Sequence, residues 1–235
     1  DRGTHRGALV NGADLRDQGI AFGHRRLAVV DLSSAGRQPF TNADQSVWLV
    51  FNGEIYNYVE LRAELVARGR TFRTETDVEV LLAAYEEFGI DCLRKFDGMF
   101  AFGLWDARRK RLLLARDRIG KKPLVYRVES DRILFASELK SLRLFPNVPS
   151  EIDLTALRLY LTYQYVPHPR TIYRGIAKLP PASFLVWSEG KEPVVERYWR
   201  ADELASFSER EGRSENERRA LRESGALDAA ALAPD

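Results

Sequence analysis

Stabilising a tetrahedral oxyanion takes hydrogen-bond donors aimed at one point, and the run Trp48-Leu49-Val50-Phe51-Asn52-Gly53-Glu54-Ile55-Tyr56-Asn57 sets two side by side. Asn52 offers a carboxamide N–H and Gly53 a backbone N–H with no side chain to shield it. The same pair between apolar residues is also a hairpin signal, because Asn and Gly tolerate the positive φ of tight primed turns. On the local sequence alone the hairpin reading leads. Chemistry through such an intermediate would further need a nucleophile and a base. The single cysteine, Cys92, lies between Asp91 and Leu93 with no base beside it, and reads as a packed core thiol.

These residues must be positioned by the elements around them. Asn57-Tyr58-Val59-Glu60 has the order of a capping box and precedes a helical Leu61, Leu65, Val66 face that ends at Gly69. A strand therefore passes into a helix just after the Asn-Gly pair. Upstream, Ile20 to Val30 is strand-like but interrupted by Gly23-His24-Arg25-Arg26, and 33–39 reads as a loop. Downstream, Thr71 to Thr74 is strand-like, and Thr76-Asp77-Val78-Glu79 opens a second helix through Leu81, Leu82, Tyr85 and Phe88 to Gly89. Asp91 to Phe96 is a short helical piece. A period of two then predicts a hairpin from Met99–Trp105 and Arg111–Arg116, and another from Pro123–Val128 and Arg132–Ala136. Helices are expected at Ser137–Leu144 and Asp153–Tyr163, and short strands at Thr171–Tyr173 and Ser183–Trp187. Hairpins with paired helices argue for antiparallel α+β layers over a doubly wound parallel sheet.

The chain has 235 residues, 45% hydrophobic and 30% charged, enough for one large or two small packed domains. With 36 basic against 34 acidic residues the net charge is +2, so charge alone points to no nucleic-acid or membrane partner. One cysteine excludes an internal disulfide framework and a multi-cysteine metal site; it fits a reducing, cytoplasmic setting. No apolar run has the length of a bilayer span, and Asp1-Arg2-Gly3-Thr4-His5 lacks the apolar core of a signal peptide. From about Asp202 the composition shifts to Glu, Arg, Ser and Ala, as in a linker.

Taken together, Gly23-His24-Arg25-Arg26-Leu27, Asp31-Leu32-Ser33, Gln38-Pro39, Phe51 to Asn57, Thr76 to Val80, Gly98 to Phe102, Ala115 to Gly120, Lys122-Pro123-Leu124, Ala136 to Lys140 and Pro167 to Pro181 give the chain a specific resemblance. It resembles the class II glutamine amidotransferase domain of the asparagine synthetase family. The resemblance implies an N-terminal-nucleophile (Ntn) hydrolase-like fold, a four-layer αββα sandwich with two antiparallel sheets. It also turns the reading of Asn52 and Gly53 to the oxyanion pair.

Further roles are implied residue by residue. Arg26 matches the arginine that holds the α-carboxylate of glutamine, a task suited to a guanidinium fork. Leu27, Ala28, Val29 and Val30 would line the same pocket, Glu54 adjoins it, and Asp77 matches the carboxylate that receives the α-ammonium. Arg26 could otherwise be a surface arginine and Asp77 a helix-capping residue. His24 and His168 lie in motifs to which the resemblance gives no catalytic role.

In the resembling family the nucleophile is a processed N-terminal cysteine whose α-amine handles the proton, and Asp1-Arg2-Gly3 resembles the end of a segment that follows it. The resemblance thus implies that the nucleophile precedes Asp1 and that residues 1–235 alone are inactive. It implies a glutaminase domain over 1–200. Residues 201–235 would be a linker and the start of an ATP-dependent synthetase domain, whose pyrophosphate loop is not in this sequence. ATP and Mg2+ would belong to that domain, with no cofactor or metal in the glutaminase part. Expected partners are glutamine, the synthetase domain and a second copy in a homodimer. The implied activity is asparagine synthesis from aspartate; the alternatives are relatives with another carboxylate acceptor or lactam-forming chemistry, and a non-catalytic packing module.

Overall fold

The computed structural model describes residues 10–15, 19–25 and 36–201. The chain divides into two compact units, Asp1–Tyr198 and Trp199–Asp235, and the elements below belong to the first. In order they are β1 (Val10–Leu15), β2 (Ile20–Arg25), β3 (Phe40–Thr41), β4 (Val47–Ile55), α1 (Tyr58–Ala67), α2 (Asp77–Phe88), α3 (Cys92–Lys95), β5 (Gly98–Asp106) and β6 (Arg111–Arg116). There follow β7 (Val125–Val128), β8 (Ile133–Ala136), α4 (Leu139–Leu142), α5 (Leu154–Tyr163), β9 (Ala177–Lys178), β10 (Ser183–Ser188) and β11 (Val194–Arg197).

All strand pairings are antiparallel. A six-stranded sheet has the order β11-β10-β6-β5-β4-β3, a three-stranded sheet the order β8-β7-β9, and among the described residues β1 pairs with β2 alone. Alternation along β4 and β5 divides the core. Val50, Ala101 and Trp105 face inward with Leu112, Leu114 and Leu185, packed against Phe135 of β8 and Phe22 of β2. The Phe22 and Phe135 rings meet edge to face with centroids 5.7 Å apart. Gly103 makes that approach possible, since a Cβ there would sit 2.4 Å from the Phe135 ring. The opposite face of β4 and β5 is covered by helices: α2 packs on β4, and Phe96 after α3 meets Phe100 edge-on. α4 packs outside β8, closing the second helical layer. The result is the layered α+β sandwich with two packed antiparallel sheets that the sequence leads one to expect.

Several local readings change. Asn52-Gly53 makes no hairpin; β4 runs through it, paired with β5 from Val47 to Ile55. Residues 71–74 form no strand; the buried Glu79 carboxylate accepts the N–H groups of Arg73 and Thr74 and the Thr74 hydroxyl, taking donors that a ladder would need. Thr171–Tyr173 keeps only an isolated bridge from Tyr173 to Ile152. Val66 is exposed and not part of the buried face of α1. β1 and β11, unread in the sequence, find partners in β2 and β10.

Candidate functional site

β4 is paired with β5 along its whole length on one edge, but with β3 only at Trp48 and Leu49 on the other. Tyr56 N–H reaches Asp97 O in the β5 register, while Phe100, opposite Gly53, spends both its N–H and its C=O on Asp117. The odd-numbered residues of β4 therefore turn their peptide groups away from β5. On that open edge Phe51 N–H donates to Gln38 Oε1 at 2.6 Å and Ile55 N–H to Asp77 Oδ2 at 3.1 Å. The peptide N–H of Gly53 lies between these two on the same edge. Its φ of +149° is confined to glycine here, for a Cβ would stand 2.0 Å from the Met99 carbonyl oxygen.

Asn52 projects from the inter-sheet face and is half-buried; its Nδ2 donates to Ser137 Oγ just after β8, at 3.4 Å. One amide hydrogen is used there and the second remains for another acceptor. Glu54, two residues on, is also half-buried. Asp77 is the first residue of α2, capped by Thr76, whose hydroxyl accepts Glu79 N–H at 3.4 Å. Asp77 itself is therefore no cap, and its carboxylate turns toward the β4 edge. Burial pushes its pKa above the ordinary carboxylate value, against the N–H groups of Ile55, Val78 and its own residue, and the charge of Glu54 adds to the rise. A buried carboxylate held this way gains most from a cation placed beside it.

Of the residues singled out in the sequence, Asn52, Gly53, Glu54 and Asp77 thus come together at the end of one strand. Arg26, Leu27, Ala28, Val29 and Val30 lie outside the described residues. Cys92 is fully buried in α3, and burial, with the Asp91 charge second, raises its thiol pKa far from the thiolate range at neutral pH. His24 serves β4: its Nε2 donates to Phe51 O at 3.0 Å. Gln38, Ser137 and Asp117 were given no role by sequence reasoning. Their signal was only their place in the motifs Gln38-Pro39, Ala136-Ser137-Glu138 and Arg116-Asp117.

Asp117 is the hub behind the site. Its buried carboxylate accepts the N–H groups of Phe100, Ile119, Lys121 and Lys122 at 2.9–3.2 Å, and adjacent Arg116 donates to the carbonyls of Gly120, Lys122 and Leu179, each at 2.7 Å. Together they fix the 117–122 loop and the edge of β5 that backs Gly53. Among the described residues no group of three or more His, Cys, Asp or Glu side chains could hold a metal ion, and no helix is long and apolar enough to cross a membrane.

A family model described as a glutamine amidotransferase domain matches residues 1–199. Asparagine synthetase [glutamine-hydrolyzing] 1 of Bacillus subtilis (strain 168) is 41% identical over 199 residues, which is 85% of this chain and 31% of that protein. The same strain's asparagine synthetase [glutamine-hydrolyzing] 3 is 40% identical over 186 residues, 78% of this chain and 30% of its own length. The chain thus spans about a third of the curated relatives it matches. Among solved structures, glutamine phosphoribosylpyrophosphate amidotransferase from B. subtilis, complexed with ADP and GMP, superposes with a TM-score of 0.52 at 21% identity, over 76% of this chain and 35% of that one. That likeness is one of fold, and it agrees with the layered Ntn-type architecture.

Proposed function

Because this chain belongs to the glutamine amidotransferase domain family, we propose that it is the glutaminase domain of an ATP-dependent asparagine synthetase, releasing ammonia from glutamine to amidate aspartate. The observation that carries the reading is the open edge of β4, where the N–H of Gly53, next in sequence to Asn52, lies two residues before the Ile55 N–H that the Asp77 carboxylate holds. A glutamine laid along that edge has its α-ammonium at Asp77 and its side-chain carbonyl at Asn52 and Gly53. Arg26 takes the α-carboxylate, Leu27 to Val30 line the pocket and Glu54 borders it.

The chemistry assigns each group a task. A cysteine thiolate at the N-terminus of the mature protein attacks the amide carbon, and its α-amine carries the thiol proton to the leaving nitrogen, which departs as ammonia. The oxyanion formed in that step accepts from Asn52 Nδ2 and Gly53 N–H; loss of one such donor costs about 100- to 1,000-fold in rate. Water then releases glutamate. Cys92 takes no part, buried as it is on the helical side of the sheet. Residues 1–200 form the domain, and 201–235 lead into a synthetase part that uses ATP and Mg2+. The reading places the protein in the cytoplasm, and a homodimer is consistent with it.

The test is an assay of the full-length protein for glutamate released from glutamine, and for asparagine formed from aspartate and ATP with glutamine or ammonia as nitrogen source. Glutamate release with asparagine formation is expected. Glutamate release without amidation of aspartate would leave the glutaminase and move the acceptor to another carboxylate. No release at all, or release abolished by Cys92→Ala, would overturn the site assignment.

A further inference from the structure

We propose that Gln38 is a positioning residue for the oxyanion site: its buried carboxamide replaces the neighbouring strand that β4 lacks, and so holds the Gly53 N–H in place. This rests on the glutaminase reading above. A strand edge left without a partner must satisfy its peptide groups some other way. β3 supplies them only as far as Leu49. Beyond it, side chains take over, one peptide group at a time.

Gln38 Oε1 accepts Phe51 N–H at 2.6 Å, and His24 Nε2 meets Phe51 O at 3.0 Å; a carbonyl oxygen can only accept, so the ring nitrogen is the donor. Asp77 Oδ2 takes Ile55 N–H at 3.1 Å. Gln38 is only 6% exposed, so its bond to Phe51 is made out of competition with water. Phe51 and Ile55 are thus pinned on either side of Gly53. Their peptides are fixed by side chains of β2, of the loop before β3, and of α2, which reach the edge from three directions.

The arrangement has a chemical purpose that a continuous strand could not serve. A paired neighbour would consume the N–H of Gly53 along with those of Phe51 and Ile55. Discrete side chains satisfy only the flanking groups, keep the strand straight, and leave the middle N–H for substrate. Gln38 suits the position better than a charged acceptor. Its oxygen mimics a backbone carbonyl and brings no charge to repel the oxyanion two residues along.

In the full-length protein, Gln38→Met removes the acceptor at nearly unchanged volume, and Gln38→Glu restores an acceptor oxygen. The expected result for Gln38→Met is a fall of about 10- to 100-fold in kcat for glutamine hydrolysis with KM little changed, since the loss falls on the transition state. Ammonia-dependent synthesis should persist, and Gln38→Glu should recover only part of the loss, because the oxygen it restores comes with a charge that opposes the oxyanion. Phe51 N–H should also exchange with deuterium faster in Gln38→Met than in the wild type. Unchanged kcat in Gln38→Met, a change in KM alone, or equal loss of both nitrogen sources would overturn the role. A wild-type protein inert toward glutamine would overturn the glutaminase reading, and this role with it.

Discussion

In the proposed site Asp77 is a carboxylate that would favour binding while it opposes folding. Its folded pKa is raised, chiefly by burial, so ionising it costs more in the native state than in the unfolded chain. The penalty is therefore absent below the ordinary carboxylate pKa, grows as pH rises from there through the folded pKa, and is fully present above it. Asp77→Asn keeps an oxygen for Ile55 N–H and removes the charge. Its urea midpoint at pH 7 should therefore equal or exceed that of the wild type, with the advantage vanishing in acid. If the carboxylate receives the substrate ammonium, the same variant should raise KM for glutamine while leaving ammonia-dependent synthesis intact, and wild-type glutamine binding should weaken as pH falls through the Asp77 pKa. Equal loss with both nitrogen sources would count against the pocket role.

At the scale of elements, β4 is defined by what cannot be added to it. Gly53→Ala forces a Cβ to within 2.0 Å of the Met99 carbonyl and asks an L-residue to hold φ near +149°. We expect a loss of about 3 kcal/mol or more in chemical denaturation, with glutamine hydrolysis abolished. Asp117→Ala should cost a similar amount, about 3 kcal/mol, because four backbone N–H groups lose their acceptor; exchange of the Ile119, Lys121 and Lys122 amides should report it directly. The period-two runs of β5 to β8 and the capping signal of α2 were legible in the sequence, because local pattern decides them: Thr76 caps α2 by accepting Glu79 N–H. Asn57 was not. Its order with Glu60 spells a capping box, yet its amide donates to Lys95 O and its oxygen accepts Asp97 N–H, so tertiary partners won over the local one. The site followed the same division. Asn52, Gly53 and Asp77 could be named from motifs, but which edge of β4 stays open depends on the parity of a pairing with β5 that no local pattern encodes.

For the molecule as a whole, the outer surface near α5 stands apart. The segment Leu154–Tyr163 carries one polar stripe, Thr155, Arg158 and Thr162, and is apolar elsewhere, a pattern that ordinarily marks a helix with a broad buried face. Here only Ala156 is buried; Leu154 is 67% and Leu161 74% exposed, and Tyr160 and Tyr163 are exposed beside them. An adjoining groove of about 430 Å³ is lined by Leu139, Ile152, Leu157, Tyr160 and Tyr165. So much contiguous apolar surface favours self-association of the chain on its own. Leu154→Glu and Leu161→Glu together should reduce it, with little effect on stability: the first puts an acid in the opening turn of α5, where the helix dipole favours it, and the second stands three residues from Arg158. Sedimentation of residues 1–235 over a range of concentrations should show less association in the double variant, while its free energy of unfolding in urea stays within about 0.5 kcal/mol of the wild type. Undiminished association would mean that the surface is not what brings copies together, and a large loss of stability would mean that these leucines are packed more closely than their exposure indicates.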